Sequence, residues 1–192
     1  MAKTKKNENK QQKAVVKEAA VVEETVVDTV AVVKNVEKKT LSDDDMIQVV
    51  SMYGNIGYED SNTGYTFNWE SVGDINDMSY AEIKHMMKTT PNMIRKGFVF
   101  VDSKEVYSSI RLDKMFDGLS YVINYDYKSN DSMQELTSNV KLLVQTYPTL
   151  KTNLVSYYTR LVLNGTIEVI SLIRQLELAL GVKDVLSNNV LR

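Results

Sequence analysis

The sequence predicts an α+β protein: a small antiparallel β meander or SH3-like unit with one or two helices, followed by a helical bundle. Three observations carry this reading. Short apolar runs bounded by glycine and Asn/Ser turns fill residues 46–102. Two helix-start signatures, Ser79-x-x-Glu82 and Ser132-x-x-Glu135, stand before apolar stripes. Beyond residue 132 the apolar residues recur at spacings of three and four. Period two belongs to strands and spacings of three and four to helices.

The chain divides into a tail at 1–40, a small α+β domain at 41–116 and a helical domain at 117–192. Residues 1–13 are polar and basic, with nothing to anchor a core. Valine pairs follow at 15–16, 21–22, 26–27 and 32–33. Their spacings fit neither a heptad nor strand alternation, and valine is a mediocre helix former. The tail is expected to be disordered alone and is a candidate anchoring arm.

Folding signals begin at Leu41. Met46 to Met52 reads as a strand, and a second is expected around Ile56 to Glu59, after the turn at Gly54 and Gly57. Ser61-Asn62-Thr63-Gly64 is a turn signal. Tyr65, Phe67 and Trp69 then alternate with polar residues, which puts three rings on one strand face, expected to be core. Ser79 and Glu82 open a helix that must stop before Pro91, because the residue before proline resists the α conformation. Gly97 opens a strand over Phe98 to Asp102, and Lys104 to Leu112 resumes helical spacing.

In the helical domain, Met133, Leu136, Val140, Leu143 and Tyr147 form a stripe that Pro148 ends. A second helix, about 149–163, aligns Leu150, Leu154, Tyr157, Tyr158 and Leu161. Asn164-Gly165 stops it, and Thr166 is expected to cap a third helix ending at Gly181. That helix is apolar nearly all round, so it must be buried in the bundle or against another chain. Its stripe of Val169, Leu172, Ile173, Leu176 and Leu180 is the expected interface with a partner or a second copy.

Composition removes several function classes. With no cysteine there is no disulfide framework, thiolate zinc site or cysteine nucleophile. No segment has the ~20 apolar residues of a membrane span, and no apolar core of a secretory signal follows the basic start. The net charge of −2 hides a gradient: +3 over residues 1–40, −8 over 41–79, where no base occurs, and +3 over 80–116. Surfaces of opposite sign on one small molecule suit head-to-tail packing.

Residues for chemistry are few. His85 is the only histidine, expected exposed on its helix, and no nucleophile lies near it in sequence. Asp43-Asp44-Asp45 lacks the alternation of a calcium loop and reads as a solvated strand boundary. Gly54 to Tyr58 is hairpin chemistry and not a phosphate loop. No catalytic residue, metal site or cofactor is expected. Lys84, Lys88, Arg95 and Lys96 form the best candidate contact for nucleic acid.

Several of these residues fall in a recurring order: Asp44-Asp45, V-x-S at Val49 to Ser51, G-x-x-G-Y at Gly54 to Tyr58, T-G-Y-x-x-x-W at Thr63 to Trp69, Gly73-Asp74, the capped helix from Ser79 to Glu82, and G-F-x-x-x-D-x-K-E-V at Gly97 to Val106. Over about 60 residues this order resembles small structural proteins of tailed bacteriophages. The resemblance implies a non-enzymatic virion or assembly protein in the capsid, neck or tail. Such a protein is assembled in the host bacterial cytoplasm, docked on other virion subunits or on itself, and has no membrane partner. The alternative is a phage-encoded regulatory protein that binds nucleic acid through the strip at 84–96.

Overall fold

A computed structural model describes residues 40–128 and 132–190; the valine-rich tail, with its expected anchoring role, lies outside them. The chain is α+β. Five strands, β1 (Met46–Ser51), β2 (Ile56–Glu59), β3 (Thr66–Trp69), β4 (Ile75–Ser79) and β5 (Val99–Val101), make two small antiparallel sheets. Among the described residues seven α-helices accompany them: α1 (Tyr80–Thr89), α2 (Asn92–Arg95), α3 (Lys104–Ser109), α4 (Asp113–Ile123), α5 (Met133–Thr146), α6 (Lys151–Leu163) and α7 (Ile170–Leu180).

β1 is central, with β4 on one side and β5 on the other; Val49 stands opposite Asn76 and Val101. Four of its six residues are buried, as a strand covered on both faces requires. β4 did not announce itself in the sequence, because Asn76 and Asp77 disfavour strands and Ile75 and Met78 do not alternate. β2 and β3 form a separate hairpin. The Trp69 indole N–H donates to the Val49 carbonyl at 3.0 Å and fixes the hairpin to the central strand. The expected row of rings is only partly core: Trp69 is buried and Phe67 half-buried, but Tyr65 precedes the strand and is exposed.

The first helix signature is realised in full. Ser79 Oγ accepts from the Glu82 amide, and Glu82 Oε2 accepts from the Ser79 amide at 2.8 Å. The Asp43 and Asp45 carbonyls accept the next free amides, those of Ala81 and Tyr80. Two further expectations are corrected. Ser132 adopts a left-handed conformation (φ 63°) and makes no side-chain cap, because α5 opens straight from a turn. Thr166 bonds back to Asn164 Oδ1, and α7 starts later, after an extended Val169. Gly181 ends α7 in the left-handed region as expected.

The described residues from Thr40 onward belong to one compact unit, which does not divide at 116/117. A single core runs from Ile47 to Leu186. Gly97 turns the chain into β5 with φ 65°, and Leu150 occupies the space where a side chain would stand. Asn153, buried on α6, donates to the carbonyls of Lys96 at 2.7 Å and Gly97 at 2.9 Å. Neither part has enough partner surface of its own: the sheet needs a cover, and short helices need a surface to bury their stripes on.

α4 and α5 meet closely at Gly118, where an added Cβ would lie 2.6 Å from Leu143 Cδ2 and 2.8 Å from its Cγ. Gly118→Ala gains up to about 1 kcal/mol of helix propensity. It also forces the buried Leu143 to move, at about 1–3 kcal/mol. A net loss of about 1–2 kcal/mol in urea unfolding is expected. Combining it with Leu143→Ala should cost less than the sum of the two changes, because the clash disappears with the leucine.

Candidate functional site

The expected interface stripe is internal. Leu172, Ile173, Leu176 and Leu180 are buried in the chain's own core, and Val169 is half-buried against it. α7 packs against α5 and α6, which together use up this face. Its charged interruption is also structural: buried Glu177 accepts from the amides of Leu186 (2.8 Å) and Ser187 (2.9 Å) and holds the last turn against α7. What α7 turns outward is the opposite side, where Leu178 is 79% exposed and Ile170 also stands open.

A second apolar opening lies between α4 and α5. The close approach at Gly118 leaves a groove of about 420 Å³ along the two helices. Tyr121, Leu142, Leu143 and Tyr147 form its apolar wall, with Lys114, Asp117 and Glu135 among its polar lining. Leu142 is 61% exposed although its helix neighbour Leu143 is buried. Burial, with the Glu135 carboxylate beside it, raises the Tyr121 phenol above its ordinary range. Asp117 is held by Lys104 at 2.8 Å, an exposed pair that contributes little to stability. The volume lies within the range of small-ligand pockets. The mixed rim and aromatic wall equally suit a protruding side chain of another protein.

The basic strip is divided by the fold. Lys84 pairs with Asp43 and lies over the Tyr80 ring at 5.0 Å, so its charge is already engaged. Lys88 follows one turn later on α1, exposed. Arg95 ends α2 and Lys96 follows it, both exposed, while the Lys96 carbonyl is taken by Asn153. Three cations of the four remain open to solvent, on two helices separated by the Pro91 turn.

His85 departs most from its sequence reading. It is largely buried, and its Nδ1 lies 3.1 Å from the Tyr58 hydroxyl and 3.2 Å from Asp60 Oδ2. Asp60, 1% exposed, also accepts from the amides of Asn62 (2.7 Å) and Thr63 (3.1 Å), which makes it the organiser of the β2–β3 turn. The three side chains therefore join the hairpin to α1. Burial pushes the Asp60 carboxyl upward, but the two amides and His85 outweigh it and hold the acid below its usual range. For Tyr58, burial and the nearby Asp60 raise the phenol. Only the fold brings positions 58, 60 and 85 together; the one sequence signal was Asp60 at the head of a Ser-Asn-Thr-Gly turn. Among the described residues no group of three His, Cys, Asp or Glu side chains is placed to hold a metal, and no helix is long and apolar enough to cross a membrane.

The sign for Asp60 follows from its lowered acidity. Its stabilising contribution is complete above the ordinary aspartate range, about pH 4, and is lost as pH falls through the lower folded-state value. Urea midpoints taken between about pH 5 and pH 2 should fall more steeply for the native chain than for Asp60→Asn. The asparagine keeps an oxygen for Asn62 and Thr63, so the difference isolates the charge. Asp60→Ala, which leaves those amides bare, should cost about 2–3 kcal/mol at pH 7.

No protein-family model, curated protein or solved structure matches the chain.

Proposed function

We propose that this chain is a non-enzymatic structural protein of a tailed-bacteriophage particle that docks on neighbouring virion subunits or on itself during assembly in the host cytoplasm. The observation that carries the reading is the groove between α4 and α5. Leu142 stands out of it, Tyr121 and Tyr147 are half-buried along it, and charges of both signs border it. An apolar core with a polar rim is the usual anatomy of a protein contact. The exposed Leu178 and Ile170 on α7 add a second apolar face. The resemblance of the sequence pattern to small phage structural proteins suggests the setting, and the opposite charges of 41–79 and 80–116 suit ordered packing between subunits.

Mass spectrometry of particles purified from cells that express the chain tests this directly. The native chain should be present in fixed proportion to the other virion proteins. Leu142→Asp should fold normally, because the position is exposed, yet reach particles at one tenth of the native level or less, since a carboxylate buried without a partner costs at least about 1.4 kcal/mol, a factor of ten. Absence of the native chain from both particles and assembly intermediates would overturn the proposal.

A further inference from the structure

The two edges of the three-stranded sheet are treated differently. At β5 the edge is closed: the Val101 amide faces the Tyr107 hydroxyl at 3.5 Å, the Val101 carbonyl accepts from Ser103 at 2.8 Å, and all three strand residues are buried. At β4 it is open. Ser51 bonds Gly73 and Asp74, and the register places Val49 on Asn76 and Ile47 on Met78. In an antiparallel ladder that alternation turns the amides and carbonyls of Ile75 and Asp77 away from β1. Glu82 takes the Ser79 amide, ending the edge there. Among the described residues nothing bonds the outward groups of Ile75 and Asp77.

The side chains at this edge are equally open. Ile75 is 56% exposed and Asp77 is exposed beside it on the same sheet face, two residues apart. β4 closes the stretch 41–79, which carries eight acids and no base. Next to Ile75 lies a cleft of about 440 Å³, whose lining includes Val72, Ile123 and Leu161.

We infer that the β4 edge accepts an added strand from a neighbouring subunit: an extended, basic segment with an apolar residue beside Ile75 and a Lys or Arg beside Asp77. The inference rests on the docking reading above and adds the mode and chemistry of one contact. Main-chain bonds to Ile75 and Asp77 supply the pairing, and side chains at alternate positions supply the selectivity. A second copy pairing β4 with β4 is disfavoured, because it brings two Asp77 carboxylates onto one pair of strands, and like charges across strands repel.

The test uses the full chain and a synthetic peptide, acetyl-Thr-Lys-Thr-Val-Thr-Lys-Thr-amide, which sets a valine and a lysine two residues apart on one face, with an all-Glu version in place of the lysines as control. Amide hydrogen exchange should slow at Ile75 and Asp77 with the basic peptide alone, and binding should weaken as salt rises. Ile75→Pro removes one edge amide and should weaken binding about three- to tenfold. Asp77→Lys should do the same without touching the backbone, which keeps the test sound if the proline variant fails to fold. Protection elsewhere only, equal binding of the acidic peptide, no binding at millimolar peptide, or a β4-mediated dimer of the free chain would each overturn the inference. If Asp77→Lys enters particles like the native chain, strand addition fails and the docking reading survives. If the native chain is absent from particles while the peptide still pairs, the reverse holds.

Discussion

The turn at Gly97 is the constraint on which the arrangement depends. Its left-handed φ of 65° aims the chain into β5, and Leu150 fills the space that any side chain would need. Asn153 then takes the two carbonyls that the turn exposes, at 2.7 and 2.9 Å. One residue of the sheet unit thus fixes the position of a helix that begins more than 50 residues later. With α6 placed, its buried Leu154, Tyr157 and Tyr158 lie in the core that also contains the sheet. Burial raises the Tyr157 phenol to about 12.

Three other buried polar groups act in a similar way. Glu82 closes the entry to α1, Glu177 anchors the final turn, and Asp60 with His85 and Tyr58 fastens the hairpin to α1. An apolar residue of similar size would bury as much area at any of these places, but it would specify no partner. The histidine cluster belongs with these ties: Asp60 spends its carboxylate on two backbone amides as well as on the imidazole. A carboxylate so engaged orders a turn, and its effect is read in stability.

Legibility in the sequence followed how local each cause was. The Ser79–Glu82 box, the stop before Pro91, the glycine at the end of α7 and the apolar stripes of α5 and α6 depend on neighbours within one or two turns, and periodicity exposes them. β4 was hidden because its strand state comes from pairing with β1 and not from its own residues. Ser132 shows the converse: the right residue types at the right spacing, but a left-handed backbone and no side-chain cap. The candidate site was read least well. Helical periodicity marks an apolar face without saying whether the same chain already covers it, and α5 and α6 cover the face of α7 that holds Leu172 and Leu176. His85 was misplaced for the same reason, since its partners lie 25 and 27 residues away.

Charge explains why one edge of the sheet can stay open. An unpaired strand is a template for any other strand, and proteins close such edges by cover, shortness or charge. β5 is covered, with all three of its residues buried, and the Val101 amide and carbonyl are met from within the chain. β4 has no such cover along Ile75 and Asp77, yet it lies in a stretch of eight acids without a base. Acidity there opposes pairing between identical copies and favours a basic strand, so the feature that protects the edge also selects its partner. The hydrogen-bonding groups are common to every strand; the choice of partner is left to Asp77 and the acids around it, and to the fit beside Ile75.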